Sequence, residues 1–366
     1  MTAKRQNYKE YLALILLCIC SFMLLSLCNG CDSNSNELSL RPNVQLAWPA
    51  PPERARITYL GVISTEADLK AKVTLSQSLG ELLFGKSKIG VLVTPSDVAI
   101  DQSDRLFVTD SGAAVVHVFD LNKRTYKQFA SLSSKEKLLK PVALTIVESR
   151  IYVVDSLLRK VCVFDKNGKF IFSFGEERLR RPSGVAYWQQ DEIVYVADTA
   201  NHTIDIFTKD GRFIEQIGSR GTGAGMFNFP THLWVDNSGK LYVSDTLNYR
   251  IQVFSPQHRF LGTPFREKIA KWEPLEMFGR QGDRPGNFAH PCGIATDSYG
   301  NIYVTDRQFE NVQVFDQQGQ ILLAFGHEGT QAGQFWLPAG IFIDSRNRIY
   351  VADSFNKRIQ VFELLE

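Results

Sequence analysis

The chain is poor in the residues that would make its chemistry easy to read. It has six cysteines in 366 residues, and four of them fall within the first 31 positions. The remaining two, Cys162 and Cys292, stand far apart, so no cystine scaffold is expected. The six histidines are scattered, whereas zinc chemistry needs three protein ligands converging on one open site. The formal net charge is only +2, which lacks the basic excess of a nucleic-acid binder. Helical periodicity is absent from the body of the chain, where short apolar runs alternate with turn residues instead.

The one long uncharged run is Tyr11–Cys28, 18 residues preceded by Lys4, Arg5 and Lys9. A basic n-region followed by an apolar h-region reads as an export signal over residues 1–30, and the run is also long enough to stay as an uncleaved anchor. Leu27-Cys28-Asn29-Gly30-Cys31 resembles a bacterial lipoprotein cleavage box, although Cys28 stands where that family prefers an aliphatic residue. The resemblance implies lipid on Cys31 and a location on the periplasmic or cell-surface side of a membrane. Cys28 and Cys31 also form a C-x-x-C, but Asp32 follows rather than the His of a haem attachment site. Residues 31–53, rich in Ser, Asn and Pro, read as a flexible tether.

From residue 54 to 366 the chain repeats itself. A proline recurs at Pro95, Pro141, Pro182, Pro230, Pro291 and Pro338, with a period of 41 to 48 residues stretched once to 61. An Asp closes a β-branched run 14 to 16 residues later: Asp110, Asp155, Asp198, Asp245, Asp306 and Asp353. Nine residues beyond each Asp stands a phenylalanine, Phe119, Phe164, Phe207, Phe254, Phe315 or Phe362. Each unit holds four short strands, a to d, joined by turn chemistry such as Asn167-Gly168 and Asp210-Gly211. Sheets apolar on both faces must be buried by neighbouring units, so the expected fold is all-β, a six-bladed β-propeller of four-stranded antiparallel blades. The last unit stops before a strand d, and Arg56–Ser64 has no repeat of its own. It is expected to complete the last blade and close the ring.

The strand-b runs Leu241–Asp245, Ile302–Asp306 and Ile349–Asp353 carry a family resemblance, as do the triplets Asn248-Tyr249-Arg250 and Asn356-Lys357-Arg358. With the Gly-x-x-Gly-x-x-x-Gly-x-Phe loops at Gly218–Phe227, Gly279–Phe288 and Gly326–Phe335, they resemble the NHL-repeat family of six-bladed propellers. The first two units lack the glycine loop and the Asn-x-Arg triplet. The fourth unit is longer than the rest, with an insertion at Thr263–Glu276 around Trp272.

The resemblance extends to propellers such as peptidyl-hydroxyglycine amidating lyase, whose zinc-binding histidines directly follow the blade-opening proline. Here that slot holds Ser96, Val142, Ser183, Thr231, Cys292 and Ala339. His232 and His290 flank their prolines at other offsets and are weak metal candidates without an obvious third ligand, which leaves open a structural or channel-bound metal and predicts no cofactor. The six equivalent Asp residues serve the b–c turns rather than catalysis. Gly80–Ser87 matches the phosphate-loop pattern, but lacks its strand-and-helix context.

Function should sit where the repeats differ. The d–a loops and b–c turns share one face, and Lys140, Arg178, Arg180, Arg181, Arg250 and Arg358 gather there beside Lys135, Lys137 and Arg159, with Trp234 and Trp336 as aromatic neighbours. The expected role is a membrane-tethered binding or scaffold protein whose partner is an acidic protein, peptide or glycan. Export argues against nucleic acid. The alternative is a metal-dependent lyase or hydrolase with its site at the channel.

Overall fold

A computed structural model describes residues 44–69, 90–255 and 274–365. All of them belong to one compact unit, Ser39–Glu366. The export signal, Cys31, the phosphate-loop-like stretch, His258 and most of the insertion around Trp272 lie outside the described residues.

Six antiparallel sheets make up the fold; five have four strands hydrogen-bonded in chain order, and the sixth joins strands from both ends of the described chain. Their first strands are Pro95–Ile100, Pro141–Val147, Pro182–Trp188, Pro230–Val235, Pro291–Thr296 and Pro338–Ile343. Each first strand touches the first strands of the blades before and after it, and the sixth touches the first. The ring is therefore closed, with these six strands around its axis. The fourth strand of blade 4 is Pro274–Phe278, so the last residues of the expected insertion are blade rather than excursion.

The expected closing strand is Ile57–Ile63, which pairs antiparallel with Arg358–Leu364 and supplies the missing strand d of blade 6. A further two-residue strand, Ala47–Trp48, pairs with Thr58 and Ile57 and makes this sheet five-stranded. Ala47 and Trp48, inside the stretch that reads as a tether, thus pair with the sheet. The Trp48 ring lies 5.8 Å from both Phe325 and Phe362, and that apolar contact docks a stretch whose Pro and Asn content reads as unstructured.

Two recurring residues explain why the repeat folds this way. The six phenylalanines stand in strand c and are at most 1% exposed; five of them pack into apolar clusters shared between adjacent blades, and Phe119 packs against Tyr126. Burying each contributes about 1.5–3 kcal/mol. The six strand-b aspartates are fully buried, and each accepts backbone N–H bonds from the d–a loop before its proline. Asp110, Asp155 and Asp306 also accept from the b–c turn, through Ala113, Leu158 and Phe309 for example. Where a blade carries the Arg of the NHL-type triplet, its guanidinium completes the arrangement. Arg358 Nε bonds Asp353 at 2.7 Å, and its other nitrogens reach the carbonyls of Thr330, Gln331 and Gln334 in the glycine loop.

Hydroxyls stitch one blade to the next. Ser183 bonds the Thr231 carbonyl at 2.8 Å, Thr246 that of Pro291 at 2.9 Å, and Thr305 that of Ala339 at 2.6 Å. Ser354 bonds the Pro95 carbonyl at 2.7 Å, joining blade 6 to blade 1.

Candidate functional site

The two ends of the ring differ in chemistry. On the d–a loop face, Lys135, Lys137, Lys140, Arg159, Arg180 and Arg181 are exposed around blades 1 to 3. The local acids are partly spent. Lys160 is buried, with its ammonium 2.8 Å from Glu136 and 4.0 Å from Glu176. Burial opposes its charge, but the Glu136 hydrogen bond holds its pKa above the usual lysine range. Arg178 has its Cζ over Phe213, 3.4 Å from the ring centroid, with Nε 3.5 Å from Asp205. Arg250 and Arg358 do not join the face as free cations. Arg250 Nε bonds Asp245 at 2.8 Å and its other nitrogens bond Thr222, Gly223 and Met226 carbonyls, as Arg358 does in blade 6. Their position in the triplet made them look like surface charge, whereas the fold uses them to hold the glycine loops. Trp336 is exposed on this face against Phe355, whereas Trp234 sits in the channel wall and donates to Thr296 at 2.8 Å.

The axis itself is governed by the second residue after each proline: Asp97, Ala143, Gly184, His232, Gly293 and Gly340. A Cβ on Gly184 would strike the Thr231 carbonyl, one on Gly293 the Ala339 carbonyl, and one on Gly340 the Asp97 carboxyl. Small residues at this level let the strands draw together and narrow the ring. Blades 1 and 4, opposite each other, carry the exceptions. Asp97 is 9% exposed; one oxygen accepts from its neighbour's N–H, Val98, at 2.9 Å and the other from Leu144 at 3.1 Å. His232 Nδ1 lies 3.5 Å from the Cys292 thiol of blade 5, and its Nε2 is buried without a protein partner.

Burial pushes the Asp97 carboxyl up to about 6, against the pull of His232 and the two N–H bonds. Burial likewise lowers His232, which is therefore neutral at pH 7, and raises the Cys292 thiol. His290 lies nearer the d–a face, its Nδ1 buried without a protein partner and its pKa lowered by burial and by Arg307. Among the described residues, no three or more His, Cys, Asp or Glu are placed to hold a metal ion. His232 and His290 thus come near one another without a ligand set. Cys162 and Cys292 are both free and buried.

From this constriction a cavity of about 700 Å³ extends along the axis to the a–b turns. Its wall is built from the inner strands and includes Leu144, Tyr187, Trp234 and Phe342. The position directly after each proline, where the amidating lyase carries its histidines, gives no sign of Asp97. The signal lay one residue further on, where Asp and His interrupt a series of Ala and Gly.

Comparison with known proteins agrees with this geometry. Residues 176–264 and 294–366 match the model of a family described as 6-bladed beta-propeller. A stretch of 56 residues is 36% identical to Protein lin-41 of Caenorhabditis elegans, covering 15% of this chain and only 5% of that much longer protein. An auxiliary nutrient binding protein from Bacteroides ovatus superposes with a TM-score of 0.58 at 14% identity, over 76% of this chain and 71% of that one. Virginiamycin B lyase from Staphylococcus aureus gives 0.53 at 12% identity, over 75% and 96%. The chain folds as a six-bladed β-propeller, and its repeats resemble those of the NHL type.

Proposed function

We propose that this chain is an exported binding protein, tethered to a membrane through Cys31 or an uncleaved N-terminal anchor. Its d–a loop face around blades 1 to 3 captures an acidic protein, peptide or glycan. One observation carries the reading: Lys135, Lys137, Lys140, Arg180 and Arg181 are exposed and make no ion pair among the described residues, while Glu136 and Glu176 are drawn to the buried Lys160. Glu177 stands exposed among them, but the basic residues outnumber it, and a net positive charge on neighbouring loops attracts an acidic partner and speeds its capture. The fold shared with an auxiliary nutrient binding protein supports a binding role.

The test is capture from solubilised membranes by the full chain, beside a variant carrying Lys140→Glu, Arg180→Glu and Arg181→Glu. The backbone N–H groups of these three residues hold Asp155 and Asp198, and side-chain replacement leaves those bonds in place. The expected result is a partner held by the native chain, released by raised salt and lost from the variant. Equal capture by both chains overturns the assignment of this face.

A further inference from the structure

We propose that the channel is a pocket, open on the a–b turn face, that takes a compact organic ammonium ion. The charged nitrogen sits against Asp97, and the apolar body lies against Trp234, Tyr187 and Phe342. This site is on the opposite side of the ring from the basic loops and is independent of them.

The pocket narrows at its inner end, where neighbouring first strands pack closely. Gly184 lies against Thr231, Gly293 against Ala339 and Gly340 against Asp97, with no room for a Cβ at any of the three. At the far end the lining consists of a–b turn residues such as Gln102, Ser103 and Ser149, so the opening faces that side. A volume of about 700 Å³ suits a small ligand, since binding pockets usually measure roughly 300–1,000 Å³.

The charge at the floor selects the ligand. Asp97 is nine-tenths buried and makes no ion pair among the described residues; its two N–H bonds leave a lone pair on each oxygen. His232, across the axis, is neutral and does not neutralise it. The cations near the mouth do not reach the floor: Arg105 is bound to Asp101 and to the Lys166 carbonyl, and Lys166 is exposed. An anionic ligand would meet the Asp97 carboxylate, and a purely apolar one would bury it without compensation. An ammonium group forms charge-assisted hydrogen bonds to it, and the aromatic wall adds a favourable cation–ring contact. Two further polar atoms, His232 Nε2 and the Tyr187 hydroxyl, are buried in the lining without a protein partner.

The experiment is calorimetric titration of the full chain in detergent with three matched pairs: glucosamine and glucose, benzylamine and benzyl alcohol, choline and 3,3-dimethyl-1-butanol. The expected result is that at least one ammonium probe binds about tenfold or more tightly than its neutral partner, a difference near 1.4 kcal/mol. Asp97→Asn should abolish the preference, and the triple loop-face variant should keep it. No binding by any ammonium probe, or neutral partners binding as well as the charged ones, overturns the proposal. The matched pairs decide on the native chain alone should Asp97→Asn fail to fold.

Discussion

At the scale of single residues, Asp97 is the group whose environment conflicts most with its charge. Its carboxyl, ordinarily at 3.8, is pushed up to about 6 by burial. The sign follows from linkage: an acid whose pKa is raised by folding favours the folded state while protonated, and that contribution is lost as the pH climbs from about 4 through 6. The loss is on the order of 3 kcal/mol for a shift of this size. Asp97→Asn removes the titration but also one of two acceptors for the Val98 and Leu144 N–H groups, at about 1 kcal/mol. The variant is therefore expected to be less stable than the native chain at pH 4 and more stable at pH 7.5, by urea unfolding at both. A difference of constant sign across that range would show that Asp97 is not held as described. A residue that costs stability near neutrality, where an Ala or Gly occupies the equivalent slot of four other blades, is one the fold does not itself require.

At the scale of the element, the arginines in the triplets separate structural charge from binding charge. Removing Arg358 would leave Asp353 buried beside four lost bonds, those to Asp353 itself and to the Thr330, Gln331 and Gln334 carbonyls. Breaking a buried pair by deleting one partner costs about 3–5 kcal/mol, so Arg358→Ala should lower the denaturation midpoint sharply. Arg358→Lys should recover little of it, since an ammonium cannot span the same fork of acceptors. Arg180→Ala, by contrast, changes an exposed side chain and should alter stability by no more than about 0.5 kcal/mol. Partner capture should respond in the opposite way, with Arg180→Ala weakening it and the soluble fraction of Arg358→Ala retaining it. Equal stability losses at the two positions would remove the distinction. The sequence marks Arg358 as part of a recurring triplet but does not show its bonds; they arise because the glycine loop folds back to present its carbonyls to strand c.

At the scale of the whole molecule, the architecture was legible and the pocket was not, for a common physical reason. Proline, aspartate and phenylalanine recur because every blade solves the same packing problem, so a single chain displays six solutions to compare. A site formed by Asp97 and His232 uses one residue from each of two opposite blades, and nothing local in either stretch announces the other. Closure lies between these cases. The absence of a last strand d and the spare run at Ile57–Ile63 together indicate which ends must meet. In the folded ring, Ile57, Tyr59 and Ile63 are buried, and Tyr59 packs edge-on to Phe362 at 5.5 Å. Blade 6 is further joined to blade 1 through Ser354 to the Pro95 carbonyl and Arg348 to Asp104, at 2.7 and 3.0 Å. Those links persist without the closing strand, but the edge of Arg358–Leu364 would then be unpaired and open to association. A chain beginning at Val44 should therefore unfold cooperatively as a monomer. One beginning at Thr65 loses three buried apolar side chains, worth roughly 5–9 kcal/mol and comparable to the whole stability of a domain. It should be recovered as aggregate or as a species of much lower urea midpoint, and adding the Val44–Ser64 segment as a separate peptide should restore the monomer. If the Thr65 chain is monomeric and as stable as the longer one, ring closure depends on the Ser354 and Arg348 links, and the closing strand is only an ornament of blade 6.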